Sequence, residues 1–231
     1  MPKSLCIIPA RGGSKRIPKK NIKDFHGKPI VAYSIQTALN SGLFDEVMVS
    51  TDSTEIKTIA REYGARVPFL RSDKSSSDTA STMKVIREVL NEYSKRGQEF
   101  EYICCLYATA PFVKISDLIK GMEMISAGTC DTVMPIVRYS YPIWRGLRQI
   151  SGERVEMIWS EFLHSRSQEL ETVFHDAGQW FWIRSNAIHL EPFESKCFGV
   201  ELNEARVQDI DNESDWQIAE MKYRLCLDKL E

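Results

Sequence analysis

The stretch Leu5-Cys-Ile-Ile-Pro-Ala-Arg-Gly-Gly-Ser-Lys-Arg-Ile-Pro-Lys-Lys-Asn21 points to the fold more directly than any other. Residues 5–9 form a short, apolar, partly β-branched run that charge ends at Arg11, the pattern of a strand buried on both faces. A polar loop follows. Gly12 and Gly13 let backbone N–H groups approach an anion closely, and Arg11, Lys15, Arg16, Lys19 and Lys20 surround that backbone with positive charge. In open α/β sheets ligands bind beyond the carboxyl ends of the strands, where this loop lies. These features describe a cradle for a polyphosphate; the competing reading is a solvated basic loop. The string matches neither G-x-x-x-x-G-K-[ST] nor G-x-G-x-x-G, so kinase, ATPase and dehydrogenase readings lose their main support.

Working outward, residues 29–39 suit a helix, with Gly42 as its C-terminal stop. Residues 47–49 read as a second strand. Asp52 is a natural N-cap, with Glu55 three residues on, for a helix that runs to Tyr63 and stops at Gly64. Further helices are expected over residues 79–96 and, capped by Ser116, up to Ile125. Strands are expected over 102–107, 132–137, 179–184, 199–202 and 205–210. Asn212 opens a terminal helix with Trp216, Ala219, Tyr223 and Cys226 on one side. This alternation is that of a parallel α/β sheet. Residues 138–175 lack a clean period and mix aromatic with charged side chains. The expectation is one α/β domain over 1–231 with 138–175 as an insertion.

The length of 231 residues, with 43% hydrophobic and 27% charged side chains, is ordinary for a globular chain that buries its own core. The net charge of −2 argues against bulk nucleic-acid binding. No run reaches the 18 or so apolar residues that span a bilayer, and the apolar start is too short for a signal peptide, so a cytoplasmic setting without membrane contact is expected. The six cysteines form no C-x-x-C pair and read as buried thiols in a reducing compartment. The four histidines have no metal spacing.

A second feature is Asp209-Ile-Asp211 at the end of the last predicted strand. Residues two apart on a strand face one side, and oxygen ligands suit Mg²⁺, which is commonly held by one or two carboxylates plus substrate phosphates. The plainer alternative makes one aspartate a helix cap and the other a surface charge. Trp180, Phe181 and Trp182 read as core packing.

The loop through Asn21 resembles the signature of the cytidylyltransferases that activate nonulosonic (sialic-type) acids. Gly27-Lys-Pro-Ile30, Val49-Ser-Thr-Asp52, Ala65-Arg-Val-Pro-Phe69 with Arg71, Ser77-Asp-Thr-Ala-Ser81, Thr109-Ala-Pro111 and Asp209-Ile-Asp211 extend the likeness over nearly the whole chain. The resemblance implies a Rossmann-like nucleotide-diphospho-sugar transferase fold with a mostly parallel sheet, and a homodimer built through the inserted segment. It implies transfer of CMP from CTP to the anomeric hydroxyl of an α-keto sugar acid, with Mg²⁺ as cofactor and release of pyrophosphate. By position, Ala10, Arg11, Gly12, Gly13, Ser14, Lys15, Lys20, Asn21, Arg71, Ala80 and Ser81 would bind the nucleotide. Asp209 and Asp211 would hold the metal, and Arg11, Lys20 and Asp211 would be catalytic.

N-acetylneuraminate enzymes of this family have Gln-Pro-Thr-Ser-Pro after the central strand and Asn-Gly before the later one. Here those places read Tyr107-Ala-Thr-Ala-Pro111 and Asp176-Ala-Gly-Gln179, followed by Trp-Phe-Trp182. This combination resembles the branch that activates pseudaminic acid. A Gln to Tyr exchange at 107 trades an amide for a ring with one hydroxyl, so the sugar pocket would read other groups. Tyr107, Thr109, Arg166, Gln168 and Gln179 would line the sugar side, Arg166 pairing with the substrate carboxylate. Glu171 and Ser72 stand where the family commonly has proline. Activation of N-acetylneuraminic or legionaminic acid is the nearest alternative, and a non-catalytic nucleotide-binding protein is the alternative from another class.

Overall fold

A computed structural model describes residues 3–77 and 79–227 of the chain. Strand β1 (Ser4–Pro9) is followed by the basic loop and a two-residue hairpin pair, β2 (Asp24–Phe25) and β3 (Lys28–Pro29). Helix α1 (Ile30–Ser41) then leads to β4 (Glu46–Ser50), α2 (Thr54–Glu62), the single turn α3 (Asp73–Ser76), α4 (Thr82–Ser94) and β5 (Tyr102–Leu106). Next come α5 (Ile115–Ser126), β6 (Thr132–Arg138), the small strands β7 (Leu147–Ser151) and β8 (Arg154–Met157), and β9 (Phe174–Asp176). The chain closes with β10 (Trp180–Arg184), β11 (Cys197–Glu201) and α6 (Glu213–Leu227).

The central sheet has the order β11-β6-β10-β5-β1-β4, with β9 paired to β6. Its links β11–β6, β5–β1 and β1–β4 are parallel, whereas β10 runs antiparallel to both β5 and β6. The sheet is therefore mostly parallel and doubly covered. Val31 and Ile35 of α1, Ile56 of α2 and Leu118 of α5 pack on one face with Ile8, Cys104 and Trp180. Met83, Ile86 and Val89 of α4 pack on the other with Ile7, Ile103 and Phe181. Alternation along β10 thus sends Trp180 and Trp182 towards α5 and Phe181 and Ile183 towards α4. Gly121 of α5 is required by that packing, because a Cβ there would lie 2.6 Å from the Trp182 ring and 2.8 Å from Trp180. A third cluster, with Ile17, Phe25, Ile30 and Trp216, seats α6 against the basic loop.

Several expectations are corrected. Residues 205–210 are not a strand: a 3₁₀ turn at Glu204–Arg206 leads into an unpaired strap that ends at α6. The helix expected over 79–96 begins at Thr82, and the one expected to be capped by Ser116 begins at Ile115. Asp52 does not cap α2; Ser53 does, accepting the Ile56 N–H at 3.4 Å. Gly42 and Gly64 do stop their helices in the left-handed region, at φ 65° and 93°.

Residues 138–175 leave the sheet after β6 and return as β9, antiparallel to it from Arg138↔Phe174 to Ile136↔Asp176. Within this insertion β7 and β8 form their own two-stranded sheet. All six cysteines are free thiols. Burial pushes Cys104 and Cys105 well above the ordinary thiol range, which keeps them protonated and inert. No helix among the described residues is long and apolar enough to cross a membrane.

Candidate active site

The carboxyl ends of β1, β4 and β5 open into a cleft of about 510 Å³. Its first wall is the basic loop, which is pinned rather than free. The Ala10 N–H donates to the Ser50 carbonyl at 2.9 Å, tying the loop to β4. The Gly12 N–H donates to Asp52 Oδ1 at 2.8 Å. A Cβ on Gly12 would lie 3.1 Å from Ser53 Cβ, so this close approach favours glycine. Asn21 Nδ2 donates to the Arg11 carbonyl at 2.9 Å and closes the loop on itself. Lys19 sits in the left-handed region at φ 54°, unusual for a side chain with a Cβ. Its carbonyl accepts the N–H groups of Ile22 and Lys23 at 2.9 and 3.0 Å, and this turn presents the next residue, Lys20, to the cleft. The loop backbone is thus fixed, while the Arg16 and Lys19 side chains remain exposed.

Lys20 is the best-defined cation. Its Nζ donates to the Ile210 carbonyl at 2.6 Å and lies 3.8 Å from Asp211 Oδ1. Burial holds its pKa below the ordinary value of 10.5, opposed by the charges of Asp211 and Asp209. Arg16 Nη2 donates to the same Asp211 oxygen at 2.9 Å. Deeper in, Arg71 donates from Nε to Ser50 Oγ at 3.1 Å and from Nη2 to the Ser50 carbonyl at 2.5 Å. Burial lowers its pKa as well, against the pull of Asp52 and Glu88.

The acidic strap closes the cleft from the opposite side. Asp211 lines it, while its backbone N–H donates to Asp215 Oδ2 at 2.9 Å. Asp215 also accepts the Asn212 N–H, and Asn212 Oδ1 accepts that of Asp215, a reciprocal cap that starts α6. Burial raises the pKa of Asp209, and the neighbouring charge of Asp211 adds to it. With no strand over 205–210, the expectation that Asp209 and Asp211 share a strand face is corrected: Asp211 lines the cleft and Asp209 does not, although both carry the carboxylate oxygens that Mg²⁺ takes alongside substrate phosphates. No group of three or more His, Cys, Asp or Glu is arranged as a metal cage among the described residues. The donor set therefore fits an ion held jointly with a ligand.

Of the other expected nucleotide residues, Arg11, Ser14, Lys15, Lys20, Asn21, Arg71 and Ala80 line the cleft. Ala10, Gly12 and Gly13 shape the loop backbone behind it, and Ser81 caps α4 by accepting the Lys84 N–H at 3.2 Å. On the sugar side Tyr107 and Thr109 line the cleft beyond β5. Burial raises the Tyr107 pKa, so its hydroxyl stays protonated. Gln179 is only 2% exposed and is not part of the wall; its Nε2 donates to the Arg206 carbonyl at 2.7 Å. Arg166 and Gln168 belong to the insertion, away from the cleft, Gln168 lining a separate hollow with Tyr139 and Thr172. Sequence reasoning missed Asp52 as the acceptor of Gly12 and Arg16 as the partner of Asp211. An acid directly after a buried strand was the available signal for the first; the second joins residues 195 apart and leaves none.

A basic loop and an acidic strap facing each other across one cleft define a nucleotidyltransferase-type site. The family model described as Cytidylyltransferase matches residues 5–223, and the chain belongs to that family. The chain is 40% identical over 227 residues to the pseudaminic acid cytidylyltransferase of Campylobacter jejuni subsp. jejuni serotype O:2, covering 96% of this chain and 97% of that protein. It is 31% identical to N-acylneuraminate cytidylyltransferase A of Danio rerio, over 94% of this chain and 50% of that one. The fold matches a CMP:2-keto-3-deoxy-manno-octonic acid synthetase solved with CTP, at a TM-score of 0.68 and 17% identity, covering 98% of this chain and 99% of that chain.

Proposed function

We propose that the chain transfers CMP from CTP to the anomeric hydroxyl of pseudaminic acid and releases pyrophosphate. The observation that carries this reading is the meeting of Arg16 and Lys20 with Asp211 across one cleft. A triphosphate needs cations around its oxygens and acids to share its metal, and both are present within one salt-bridge length. The choice of pseudaminic acid rests on the likeness to the Campylobacter protein over almost the full length of both chains.

In this reading the sugar hydroxyl attacks the α-phosphorus in line. The new O–P bond forms as the bond to the β-phosphate oxygen breaks, the electron pair leaves with pyrophosphate, and the hydroxyl proton passes to Asp211 or to water. Such transfer is mainly positioning plus charge neutralisation. Arg11, Lys15 and Lys20 offset charge on the triphosphate from the loop side. Arg71, Ala80 and Asn21 surround the nucleoside, and Tyr107 and Thr109 face the sugar. Asp209 and Asp211 would hold Mg²⁺, which supplies Lewis-acid neutralisation at the phosphate oxygens when bound. Free thiols throughout suit a reducing, cytoplasmic setting.

The deciding assay is pyrophosphate release with CTP, Mg²⁺ and each sugar acid in turn. Release with pseudaminic acid and not with N-acetylneuraminic or legionaminic acid is expected. Preference for either of the latter keeps the reaction and overturns the substrate. Silence with all three, from folded protein that binds CTP, supports the non-catalytic alternative.

A homodimer is proposed on the insertion. A two-stranded sheet is marginal alone, yet β7, β8 and the turn after them expose Leu147, Val155 and Leu163, each more than half accessible. Burial of that face in a second copy is expected, so Leu147→Glu with Val155→Glu should shift the sedimentation coefficient to the monomer value. A wild-type chain that sediments as a monomer would remove the proposal.

A further inference from the structure

We infer that Gln179 is a positioning residue: its buried amide sets where the acidic strap lies over the cleft, and so where Asp209 and Asp211 sit, without touching either substrate. This rests on the reading that those two aspartates hold the metal.

Because β10 is antiparallel in an otherwise mostly parallel sheet, the residue before it lies at the ligand edge, opposite the end of β5. The Gln179 carbonyl accepts the Tyr107 N–H at 2.9 Å, which continues the ladder one step beyond the strands. Its side chain turns inward, 2% exposed, and Nε2 donates to the Arg206 carbonyl at 2.7 Å. Its Oε1 has no partner among the described residues. A residue that merely filled this space could be Met or Leu; the amide adds a donor that reaches the Arg206 carbonyl. The donor half of the amide is the reason to keep it, and that donor is directed at the strap.

The strap is tied by its carbonyls. Gln179 takes that of Arg206, Lys222 Nζ takes that of Val207 at 2.7 Å, and Lys20 Nζ takes that of Ile210 at 2.6 Å. Arg206 also donates two hydrogen bonds to the Asp117 carboxylate, at 2.8 and 3.3 Å. Lys20 is a cation that lines the cleft, so in this reading its hold changes as phosphates arrive or depart. Gln179 is neutral and buried, so its tie holds throughout the cycle. Groups that orient the surroundings of metal ligands are worth much of the metal's affinity.

The test titrates Mn²⁺ into CTP-saturated protein, read by water-proton relaxation, for wild type and Gln179→Met. The expected result is an affinity weakened about tenfold and a lower kcat. CTP affinity without metal and the ratio of kcat/KM between pseudaminic and N-acetylneuraminic acid should both be unchanged. Wild-type Mn²⁺ affinity in the variant overturns the proposal. So does an altered sugar ratio with Mn²⁺ affinity intact, which would make Gln179 a sugar contact. If Gln179→Met does not fold, Gln179→Glu keeps the shape. Its carboxyl can donate to the Arg206 carbonyl only when protonated, so Mn²⁺ affinity relative to wild type should rise as pH falls. A ratio independent of pH overturns the proposal. A wild-type protein that binds CTP but no Mn²⁺ removes the metal reading beneath it.

Discussion

Asp211→Asn protein is expected to keep the wild-type urea midpoint and to lose about three orders of magnitude in kcat. The fold should hold because the side chain's ion pairs to Arg16 at 2.9 Å and Lys20 at 3.8 Å are part-exposed, and such pairs contribute about 0–1 kcal/mol. The cap of α6 uses the Asp211 backbone N–H, which the substitution leaves in place. Catalysis should suffer because one of the two carboxylates proposed to hold the metal becomes a neutral amide. Lewis-acid stabilisation is worth several kcal/mol, and about 4 kcal/mol corresponds to roughly 10³ in rate. Pyrophosphate release at saturating CTP, sugar acid and Mg²⁺ measures it. A kcat within about tenfold of wild type would remove Asp211 from the site.

Replacing Lys20 should produce the second large effect. Loss of one preorganised charge of this type costs about 10²–10³ in kcat, and Lys20→Met also leaves the Ile210 carbonyl without its donor. The pH dependence separates charge from shape. Burial lowers the Lys20 pKa below 10.5, so the ammonium is lost at a lower pH than an ordinary lysine. The profile of kcat/KM for CTP, which reports the free enzyme, should therefore turn down on an alkaline limb below the usual lysine range. Stability moves the other way. A lysine whose folded pKa is depressed is protonated more readily in the unfolded chain, so its penalty fades as pH rises from the folded towards the unfolded value. Lys20→Arg keeps a charge that does not titrate and should abolish the limb while remaining more active than Lys20→Met. A limb that persists in Lys20→Arg would assign it to another group.

What the sequence disclosed is mostly what short-range chemistry determines. The strand before Arg11, the helix stops at Gly42 and Gly64 and the start of α6 at Asn212 are decided within a few residues, and all were legible. Residues 205–210 were misread because buried apolar residues at 207 and 210 suggested a strand, although a spacing of three does not fit a strand's period of two. They are buried against the cleft rim and α6, however, and no neighbouring strand claims their backbone. Asp52 looked like a cap because capping is the local use of an aspartate there. Its carboxylate is instead taken by Gly12, 40 residues away, and Ser53 inherits the cap. The strand at Trp180 was foreseen, but its direction depends on partners that no local pattern names. Gln179 was expected to face the sugar and is buried under the strap, a placement set by Arg206 from a distant turn.

Strand β10 begins at Trp180, yet it occupies the middle of the sheet between β5 and β6. The crossover through α5 leaves a one-strand gap when β6 is laid down, and only a later segment can fill it. During synthesis the growing chain therefore holds β4, β1 and β5 with a bare edge at β5, while β6 has no sheet neighbour but β9, because β11 follows β10 in the chain. Open edges of this kind pair readily with foreign strands, and closing a sheet through sequence-distant strands is slow. Emergence of the Trp-Phe-Trp segment from the ribosome is thus the event that joins β6 to the rest of the sheet. Nascent chains stalled before Trp180 should be the ones that chaperones hold and proteases find.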